Sequence, residues 1–412
     1  MRHGQLRASH PFVTIAKVLA TALVVVAVSS ASVGAFAVYG TLSNIKTGIH
    51  LQHLPGAKQP PAPSVGAMTG EVNILLAGTD TRTGQVGYQT KTQLAGSSGI
   101  GNNDVTMLLH VSADHKSATV VSFPRDLVQI PLCGGSISSS MFNTTLSHGL
   151  SCVVQTAEKM TGLTIPYAGV ITFDGVIGMS NAIGGVTVCL ATPVTDRYTD
   201  PPLNLAAGQQ TLVGPMALSF LRSRHGVGDG SDLGRISNQQ VFLSALTRKI
   251  TGDGVLKNPI TLYKLANAAL SNVQLSDTLT NPTTLVSIAL TLKSIQLQNI
   301  VFVQYPSMSD PADPNRVVPQ TSAGAALASA LRSDLPISLT GKLGRAAVAD
   351  PTAVAPPTTP PTPATPGSPT TGPNATPTTG VAPAPTSIAL PSSITGQSAA
   401  ENTCTAGFTN HK

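Results

Sequence analysis

Residues 103–126 have the sequence NDVTMLLHVSADHKSATVVSFPRD, in which two apolar runs are separated by a polar turn. The runs Val105 to Ser112 and Ala118 to Phe123 are rich in β-branched residues and leucine, which favour β-strands. Asp114-His115-Lys116 between them is typical of a turn. We therefore expect a β-hairpin in this segment.

The pattern on either side alternates between strands and helices. Further strands are predicted at Val72 to Ala77, Val186 to Leu190 and Ile300 to Gln304. Helices are predicted at residues 152–160, 175–183, 236–251, 260–271 and 282–294. This order favours an α/β or α+β sandwich around one mixed sheet.

The N-terminal region predicts a membrane anchor. Residues 1–17 are basic and contain no acid, and no charge occurs between Lys17 and Lys46. Residues 18–40 are mainly Ala, Val and Leu, enough for a transmembrane helix of about 20 residues, and the basic flank should stay in the cytoplasm. The alternative is a cleaved signal peptide, because Ala35-Phe36-Ala37 resembles a cleavage site, although signal-peptide cores usually have about 7 to 15 residues. We expect a single-pass protein of the cell membrane with an extracytoplasmic catalytic domain.

Composition divides the remaining chain into three parts. Residues 41–70 are expected to form an extracytoplasmic stalk, and residues 71–345 a catalytic domain. Residues 346–412 are expected to be a disordered tail, because most of this segment is Pro, Thr, Ala and Gly. Its last part, with Cys404, is either a short docking piece or the end of the tail, and we favour the tail.

Four cysteines agree with an oxidising compartment. Cys133 and Cys152 are close in sequence, and we expect them to form a disulfide, although four cysteines allow three full pairings and free buried thiols are the alternative. Cys189 and Cys404 are not assigned. The absence of C-x-x-C and H-E-x-x-H motifs argues against a structural zinc site or a zinc protease of that type.

Arginine and aspartate concentrate in a few segments, although only 10% of the chain is charged. Arginine binds phosphate or carboxylate with two donors, and Asp oxygens suit a hard divalent cation or accept a proton. The chemistry points to a site for a phosphorylated substrate. The segments are Asp80-Thr81-Arg82, Asp104, Pro124-Arg125-Asp126, Arg222-Ser223-Arg224 and Asp232-Leu233-Gly234-Arg235.

Two of the aspartates flank predicted strands. Asp80 follows the first strand and Asp104 precedes the second, and ligands usually bind at strand ends in α/β sheets. If the two strands are neighbours, Asp80 and Asp104 can share one cation. The alternative is that both are turn or capping residues.

Two pairs of charges follow other elements. Pro124 ends the third strand, and the adjacent Arg125 and Asp126 point in different directions in an extended segment. Arg222 and Arg224 lie on one face if their segment is extended, and both can then bind oxygens of the same diphosphate. For Arg125 and Asp126, simple surface solvation is the alternative.

One helix presents polar and apolar residues on the same face. Asp232, Arg235 and Gln239 have the spacing i, i+3 and i+7. The same face continues with Leu243, Leu246 and Ile250, which we expect to point into the core. The polar residues are therefore expected to face a cleft, the alternative being a solvated helix start.

Nucleic acid is an improbable partner. The sequence pI is about 9.2, but aromatic residues make up only 4% of the chain and tryptophan is absent. A domain that faces outward from the membrane is also in the wrong compartment. The excess of basic residues therefore does not indicate nucleic-acid binding.

Several of these segments carry a resemblance to a known family. They are Asn73-Ile-Leu-Leu-Ala-Gly-Thr-Asp80-Thr-Arg82, Asn103-Asp104-Val-Thr106-Met, Ser122-Phe-Pro-Arg125-Asp126, Gly184-Gly185-Val, Ala217-Leu-Ser-Phe-Leu-Arg222-Ser-Arg224, and Asp232-Leu-Gly-Arg235 with Gln239. In order and spacing, from about residue 73 to 250, they resemble the LytR-CpsA-Psr family of bacterial cell-wall proteins. The anchor, outer domain and Pro-rich tail look like those of actinobacterial members.

The resemblance implies an α/β/α sandwich and a Mg²⁺-dependent phosphotransferase that moves a glycopolymer from a polyprenyl diphosphate carrier onto peptidoglycan. It implies that Asp80 and Asp104 hold the cation and that an apolar pocket takes the lipid. The residues it assigns to the diphosphate are Arg82, Arg125, Arg222, Arg224, Arg235 and Gln239. The residues it assigns to catalysis are Asp232, Arg125, Asp126, Arg222 and Arg224.

The sequence departs from the family pattern in two places and leaves rival functions open. Asn238 precedes Gln239 where the family usually has Arg, and the segment between Arg224 and Asp232 is glycine-rich. Which Asp acts as the base is not decided, nor is the glycopolymer. The rivals are a pyrophosphatase that hydrolyses lipid diphosphates and a non-catalytic carrier or regulator that binds polyprenyl phosphates.

Overall fold

The computed structural model describes residues 47–57, 66–86, 94, 97, 99–252, 259–352 and 387–408. The strands are β1 (Val72–Thr79), β2 (Asn103–Val111), β3 (Ala118–Phe123), β4 (Ile130–Pro131), β5 (Ile137–Ser138), β6 (Tyr167–Ile171), β7 (Val186–Leu190), β8 (Val194–Asp196), β9 (Leu203–Leu205), β10 (Gly208–Leu212), β11 (Val273–Leu275), β12 (Ile300–Gln304), β13 (Ser307–Ser309), β14 (Val317–Pro319), β15 (Ile337–Ser338), β16 (Ala347–Ala349), β17 (Ile388–Ala389), β18 (Gly396–Ser398) and β19 (Thr403–Thr405). The helices are α1 (Leu150–Thr161), α2 (Phe173–Ala182), α3 (Pro215–Arg222), α4 (Asp232–Gly252), α5 (Pro259–Asn272), α6 (Pro282–Lys293) and α7 (Thr321–Ser333). Short 3-10 helices occur at Leu132–Gly134, Phe142–His148, Asp277–Leu279 and Leu297–Asn299.

The central sheet is mixed, as expected, and has the order β11-β6-β1-β2-β3-β12-β18. β1 pairs antiparallel with β2 and parallel with β6. β3 pairs antiparallel with β2 and parallel with β12. The hairpin of β2 and β3 is thus confirmed, and its turn places His115 at φ 55°.

Helices cover both faces of this sheet. Leu75 of β1 is fully buried in a core that includes Val153 of α1 and Leu327 of α7. Its neighbour Ile74 packs against a second core that includes Ile288 of α6. Because successive side chains of a strand point to opposite faces, the two cores lie on opposite sides of β1.

Residues 346–352 and 387–408 are folded, which corrects our assignment of this part of residues 346–412 to a disordered tail. β18 pairs with β12 at the edge of the central sheet, and β19 lies between β7 and β16 in a second sheet of order β10-β7-β19-β16. Leu390 and Ile394 are 2% and 1% exposed in the main core. We predicted disorder from the average composition of the whole segment, and this average did not reveal the apolar residues that follow the Pro-rich run. Residues 353–386 lie outside the described residues.

Both pairs of cysteines form disulfides. The expected Cys133–Cys152 bond is confirmed, with an S–S distance of 2.01 Å. Cys189 and Cys404 form a second disulfide between β7 and β19, where they are paired in register. The second bond ties the C-terminal segment to the domain.

Part of the expected stalk packs on the domain. The backbone N–H of Ile49 donates to the carbonyl of Leu275 at 2.9 Å, and Leu51 is buried in the main core. Residues 18–40, for which we expect a transmembrane helix, lie outside the described residues. Within the described ranges, none of the helices is long and apolar enough to cross a membrane.

Candidate active site at the edge of the central sheet

β1 and β2 are antiparallel neighbours, so Asp80, after the end of β1, and Asp104, near the start of β2, lie at the same end of the two strands. The register shifts after Gly78, and Thr79 lies opposite Asn103, which leaves Asp104 without a partner on β1. This is a β-bulge, which changes the direction of the side chains around it and is common next to active sites. The sequence predicted the strand ends but carried no signal for the bulge.

Arg125 follows β3 and lies among three carboxylates. Its Nη1 donates to Oδ1 of Asp104 at 2.9 Å, and its Nε lies 3.7 Å from Oδ1 of both Asp126 and Asp232. Its backbone N–H also donates to Oδ2 of Asp232 at 3.2 Å. Burial lowers the pKa of the Arg125 guanidinium, but the three negative charges outweigh burial and the pKa is raised. The surface-solvation alternative for Arg125 is therefore wrong.

Asp232 and Arg235, at the start of α4, form a buried ion pair. Oδ1 of Asp232 lies 2.6 Å from Nη2 of Arg235, and each side chain is 6% exposed. The same Nη2 donates to the backbone carbonyl of Asp104 at 2.7 Å, which connects α4 to the bulge. Nε of Arg125, Nε of Arg235 and Oδ1 of Asp232 are buried without a hydrogen bond of good geometry, so the Asp232–Arg235 contact acts as an ion pair. The inward face predicted for this helix is confirmed.

Asp126 has a raised pKa. Burial is the main cause and repulsion from Asp232 adds to it, while Arg125, Arg224 and Arg316 oppose it. Nη1 of Arg316 lies 3.8 Å from Oδ1 of Asp126. Arg316 was missed by the sequence analysis because it is isolated from the other charged segments in the sequence. It is brought to the site by backbone pairing: the Val317 N–H donates to the Asp126 carbonyl at 3.2 Å, and the Val128 N–H donates to the Val317 carbonyl at 2.9 Å.

Arg222 and Arg224 do not lie on one extended segment, which corrects the sequence interpretation. Arg222 is the last residue of α3, and its guanidinium stacks over the ring of Phe173 at 4.3 Å. Arg224 follows in a loop, where its Nε donates to the carbonyl of Gly230 at 3.4 Å. The eight residues of α3 carry the apolar spacing of a buried helix, which the sequence analysis overlooked.

The end of α3 is held against α4 by two amides. Nε2 of Gln239 donates to the carbonyl of Leu221 at 2.9 Å, and Nδ2 of Asn238 donates to that of Phe220 at 2.7 Å. Gln239 therefore positions the helix that carries Arg222.

Asp80 and Arg82 lie in the loop after β1. Oδ1 of Asp80 accepts the backbone N–H of Asn102 at 2.7 Å, and the backbone N–H of Arg82 donates to the carbonyl of Ser97 at 3.1 Å. These bonds hold the loop beside the start of β2. Asp80 thus caps a turn, and the cation that it was expected to share with Asp104 stays a prediction.

An apolar cavity of about 390 Å³ opens beside this cluster, between the sheet and helices α2, α3, α4 and α5. Its polar lining includes Asp104, Arg222, Arg235 and Gln239. Most of the remaining lining is aliphatic or aromatic. The residues Leu243, Leu246 and Ile250, expected to point into the core, line this cavity, and Leu246 also packs against the core under the second sheet.

The chain is similar to a known protein family and to curated cell-wall proteins. The model of the LytR_cpsA_psr family matches residues 38–329. Cell wall biosynthesis protein LcpA of Corynebacterium glutamicum is 30% identical over 272 residues, which are 59% of this chain and 51% of that protein. The polyisoprenyl-teichoic acid–peptidoglycan teichoic acid transferase TagU of Oceanobacillus iheyensis is 30% identical over 191 residues, 45% of this chain and 54% of that protein. The chain spans about half the length of these curated relatives.

Two solved structures share the fold. TagT bound to LIIa-WTA has a TM-score of 0.51 and 18% identity, covering 69% of this chain and 98% of that one. A protein of Streptococcus agalactiae has a TM-score of 0.52 and 20% identity, covering 64% of this chain and 88% of that one. At these identities the likeness concerns the fold alone. Since the family match covers more than half of its residues, the chain belongs to the LytR_cpsA_psr family.

Proposed function

We propose that this protein is a phosphotransferase that moves a glycopolymer from a polyprenyl diphosphate carrier onto peptidoglycan. The observation that carries the proposal is the cluster of Arg and Asp side chains at one end of an apolar cavity. A lipid-linked diphosphate has the same two parts, an apolar chain and an anionic head. The names of the relatives, cell wall biosynthesis protein and teichoic acid transferase, support the same reaction class.

The cavity is the proposed site of the lipid chain. Helix α4 lines the cavity from Gln239 to Ile250. A lipid chain bound in the cavity would therefore run along this helix, with its diphosphate at the start of the helix. Burial of each methylene group contributes about 0.8 kcal/mol, enough for the chain to supply much of the donor affinity.

The arginines are the proposed ligands of the diphosphate. Arg222 and Arg235 line the cavity, and Nε of Arg235 is buried without a hydrogen-bond partner. A buried donor without a partner is costly, and a phosphate oxygen satisfies it. Arg224, Arg125 and Arg82 complete the proposed set from the surrounding loops.

The reaction needs a proton acceptor and Asp126 is the proposed one. The acceptor hydroxyl oxygen forms a bond to the phosphorus that carries the glycan, the P–O bond to polyprenyl phosphate breaks, and the hydroxyl proton passes to the carboxylate. A raised pKa brings Asp126 closer to the operating pH, which improves a general base. Asp232 accepts from the Arg125 N–H and pairs with Arg235, so its proposed role is to position both arginines.

Asp80 and Asp104 are the proposed ligands of Mg²⁺. Their carboxylates come from the adjacent ends of β1 and β2, and carboxylate oxygens are the ligands this ion prefers. When bound, the ion would neutralise charge that develops on the phosphoryl oxygens. The membrane anchor at residues 18–40 is likewise part of the proposal and would hold the domain beside its lipid donor.

The test uses the full-length protein in detergent with a lipid-linked donor and peptidoglycan. Glycan bound covalently to peptidoglycan, together with released polyprenyl phosphate, supports transfer. If only free phosphorylated glycan forms, the protein is a hydrolase. If the donor binds and survives, it is a carrier or regulator.

The first prediction concerns Arg224. Arg224→Ala is expected to lower kcat for transfer by about 100- to 1,000-fold, the usual loss when one preorganised donor to a transition state is removed. The matched control is Arg197→Ala, an exposed arginine whose side chain contacts Tyr198. Circular dichroism checks that both variants fold, and unchanged transfer by Arg224→Ala contradicts the assigned role.

A further inference from the structure

Three potential metal ligands meet at the end of β1 that lies away from the candidate active site. Glu71, His110 and Asp334 each offer a ligand atom, and these atoms lie within 4.8 Å of one another. Glu71 directly precedes β1 and Asp80 directly follows it, so the eight residues of the strand separate the two places by about 25 Å. The described residues contain one other such group, but two of its three members are the disulfide-bonded Cys189 and Cys404.

The hydrogen bonds of Asn73 determine which nitrogen of His110 carries a proton. Nδ2 of Asn73 donates to the carbonyl of Thr164 at 2.8 Å, so Oδ1 is the atom that faces Nδ1 of His110 at 2.7 Å. An amide oxygen only accepts, and therefore Nδ1 of His110 donates. In the neutral ring, Nε2 then presents a lone pair. The His110 side chain is 5% exposed.

That lone pair faces carboxylate oxygens. Nε2 of His110 lies 3.4 Å from Oδ1 of Asp334, and this oxygen is buried without a hydrogen-bond partner. The other oxygen, Oδ2, accepts the backbone N–H of Ala113 at 2.7 Å, which fixes the orientation of the carboxylate. Two facing lone pairs need a proton or a cation between them. The carboxylate of Glu71 adds a second negative charge, which favours a divalent cation.

We propose that Glu71, His110 and Asp334 bind a Zn²⁺ ion. The absence of local zinc motifs argued against such a site, but these three ligands are far apart in the chain and form no local motif. One imidazole nitrogen and two carboxylates suit zinc, with water in the fourth position, whereas Mg²⁺ prefers oxygen ligands alone. Asn73 supplies the outer hydrogen bond that metal-ligating histidines almost always make. The ion joins the start of β1, the end of β2 and the residue after α7, where Asp334 has φ 61°. It therefore stabilises the fold at a distance from the reaction.

Zinc binding is measured on the full-length protein in detergent, stripped with chelator and dialysed against Zn²⁺. Mass spectrometry of the metal content is expected to give one zinc per chain, and Tm is expected to rise with zinc concentration. Glu71→Gln and His110→Gln are expected to lose both effects. Asn73→Ala is expected to bind zinc about 10- to 100-fold more weakly.

Two control variants separate this site from its surroundings. Asp114→Asn changes an exposed carboxylate of the neighbouring hairpin turn and is expected to keep the zinc. Asp104→Asn changes a proposed Mg²⁺ ligand and is also expected to keep it, so that failure of the zinc site and failure of the proposed transfer are distinguishable. If the wild type binds no zinc, or if Glu71→Gln binds it with wild-type affinity, these three residues do not form a zinc site and the proposal is wrong.

Discussion

At the scale of single residues, the pKa of Asp126 is set by opposing effects of burial and neighbouring charges. Burial and Asp232 disfavour its negative charge, whereas Arg125, Arg224 and Arg316 favour it. The net effect raises the pKa, so the protonated form persists to a higher pH than in an ordinary aspartate. A base works only when deprotonated, so we expect the proposed transfer to be lost as the pH falls through this raised pKa.

The second prediction follows for the pH profile of kcat/KM. Arg316→Gln removes a positive charge that lowers the Asp126 pKa, so the acidic limb is expected to move to higher pH. Asp126→Asn is expected to lower kcat by about 100- to 10,000-fold and to abolish that limb. The matched control is Arg332→Gln, an arginine that donates to the Thr161 carbonyl rather than to a carboxylate of the site. An unchanged acidic limb in Arg316→Gln contradicts the role of Asp126.

The same shift gives a third prediction, for stability. Because the folded state binds the Asp126 proton more tightly than the unfolded state, ionisation of Asp126 costs stability as the pH rises through the interval between the two pKa values. Asp126→Asn is expected to raise Tm at neutral pH and to have little effect in acid. A lower Tm at neutral pH would show that the charge of Asp126 stabilises the fold through its arginines.

Residue spacing predicted part of the site and not the rest. The inward face of Asp232, Arg235 and Gln239 could be predicted because helix periodicity is local. Arg316 could not, since it reaches Asp126 only through tertiary packing of β14. The bulge at Asp104 was also missed, because register depends on the partner strand.

At the scale of elements, the residues that directly follow strand β19 support the loop between Arg224 and Asp232. The N–H of Gly228 donates to the carbonyl of Ala406 at 2.9 Å, and that of Phe408 donates to the carbonyl of Gly226 at 2.8 Å. Gly228 has φ 56°, a conformation that favours glycine. The glycine-rich departure from the family pattern is thus the surface on which the C-terminal segment docks.

Asn238, the second departure, contacts the same segment. Its Oδ1 accepts the hydroxyl of Thr405 at 2.8 Å, while its Nδ2 donates to the carbonyl of Phe220. The side chain thus joins β19, α3 and α4.

Strands β7 and β12 could be predicted from sequence, but their pairing with β19 and β18 could not, because these partners are distant in the chain.

The fourth prediction concerns the disulfide that holds β19. Replacing both Cys189 and Cys404 with Ala is expected to lower kcat by about tenfold or more, since displacement of a catalytic loop by about 1 Å can cost about 100-fold. Loss of this link, which spans 215 residues, is also expected to cost about 5 kcal/mol of stability in the chain-entropy model.

The control is the double Ala variant at Cys133 and Cys152. This link spans 19 residues, and its removal is expected to cost about 3 kcal/mol while leaving kcat unchanged at a temperature where both variants are folded. Equal effects of the two double variants on kcat would mean that β19 does not position the loop.

At the scale of the whole molecule, the charged site and the cavity belong to one surface of the fold. The bulge of β2, the last residue of α3 and the first turns of α4 meet at one end of the cavity. The second sheet also packs against α4, through Val188 of β7 and Phe242, which share one core. A single helix therefore connects the proposed diphosphate site, the proposed lipid cavity and the disulfide-bonded C-terminal segment.

The fifth prediction tests the cavity with Val176→Phe, which places a larger side chain in its lining from α2. Each methylene group that is excluded from the cavity costs about 0.8 kcal/mol, or about fourfold in binding. Transfer from a long-chain polyprenyl donor is therefore expected to lose about tenfold or more in kcat/KM, whereas a short-chain donor, which does not fill the cavity, is expected to keep wild-type kcat/KM. Val286→Phe, an exposed valine of α6, is the control and should change neither. An equal loss with both donors would show that the lipid chain binds elsewhere.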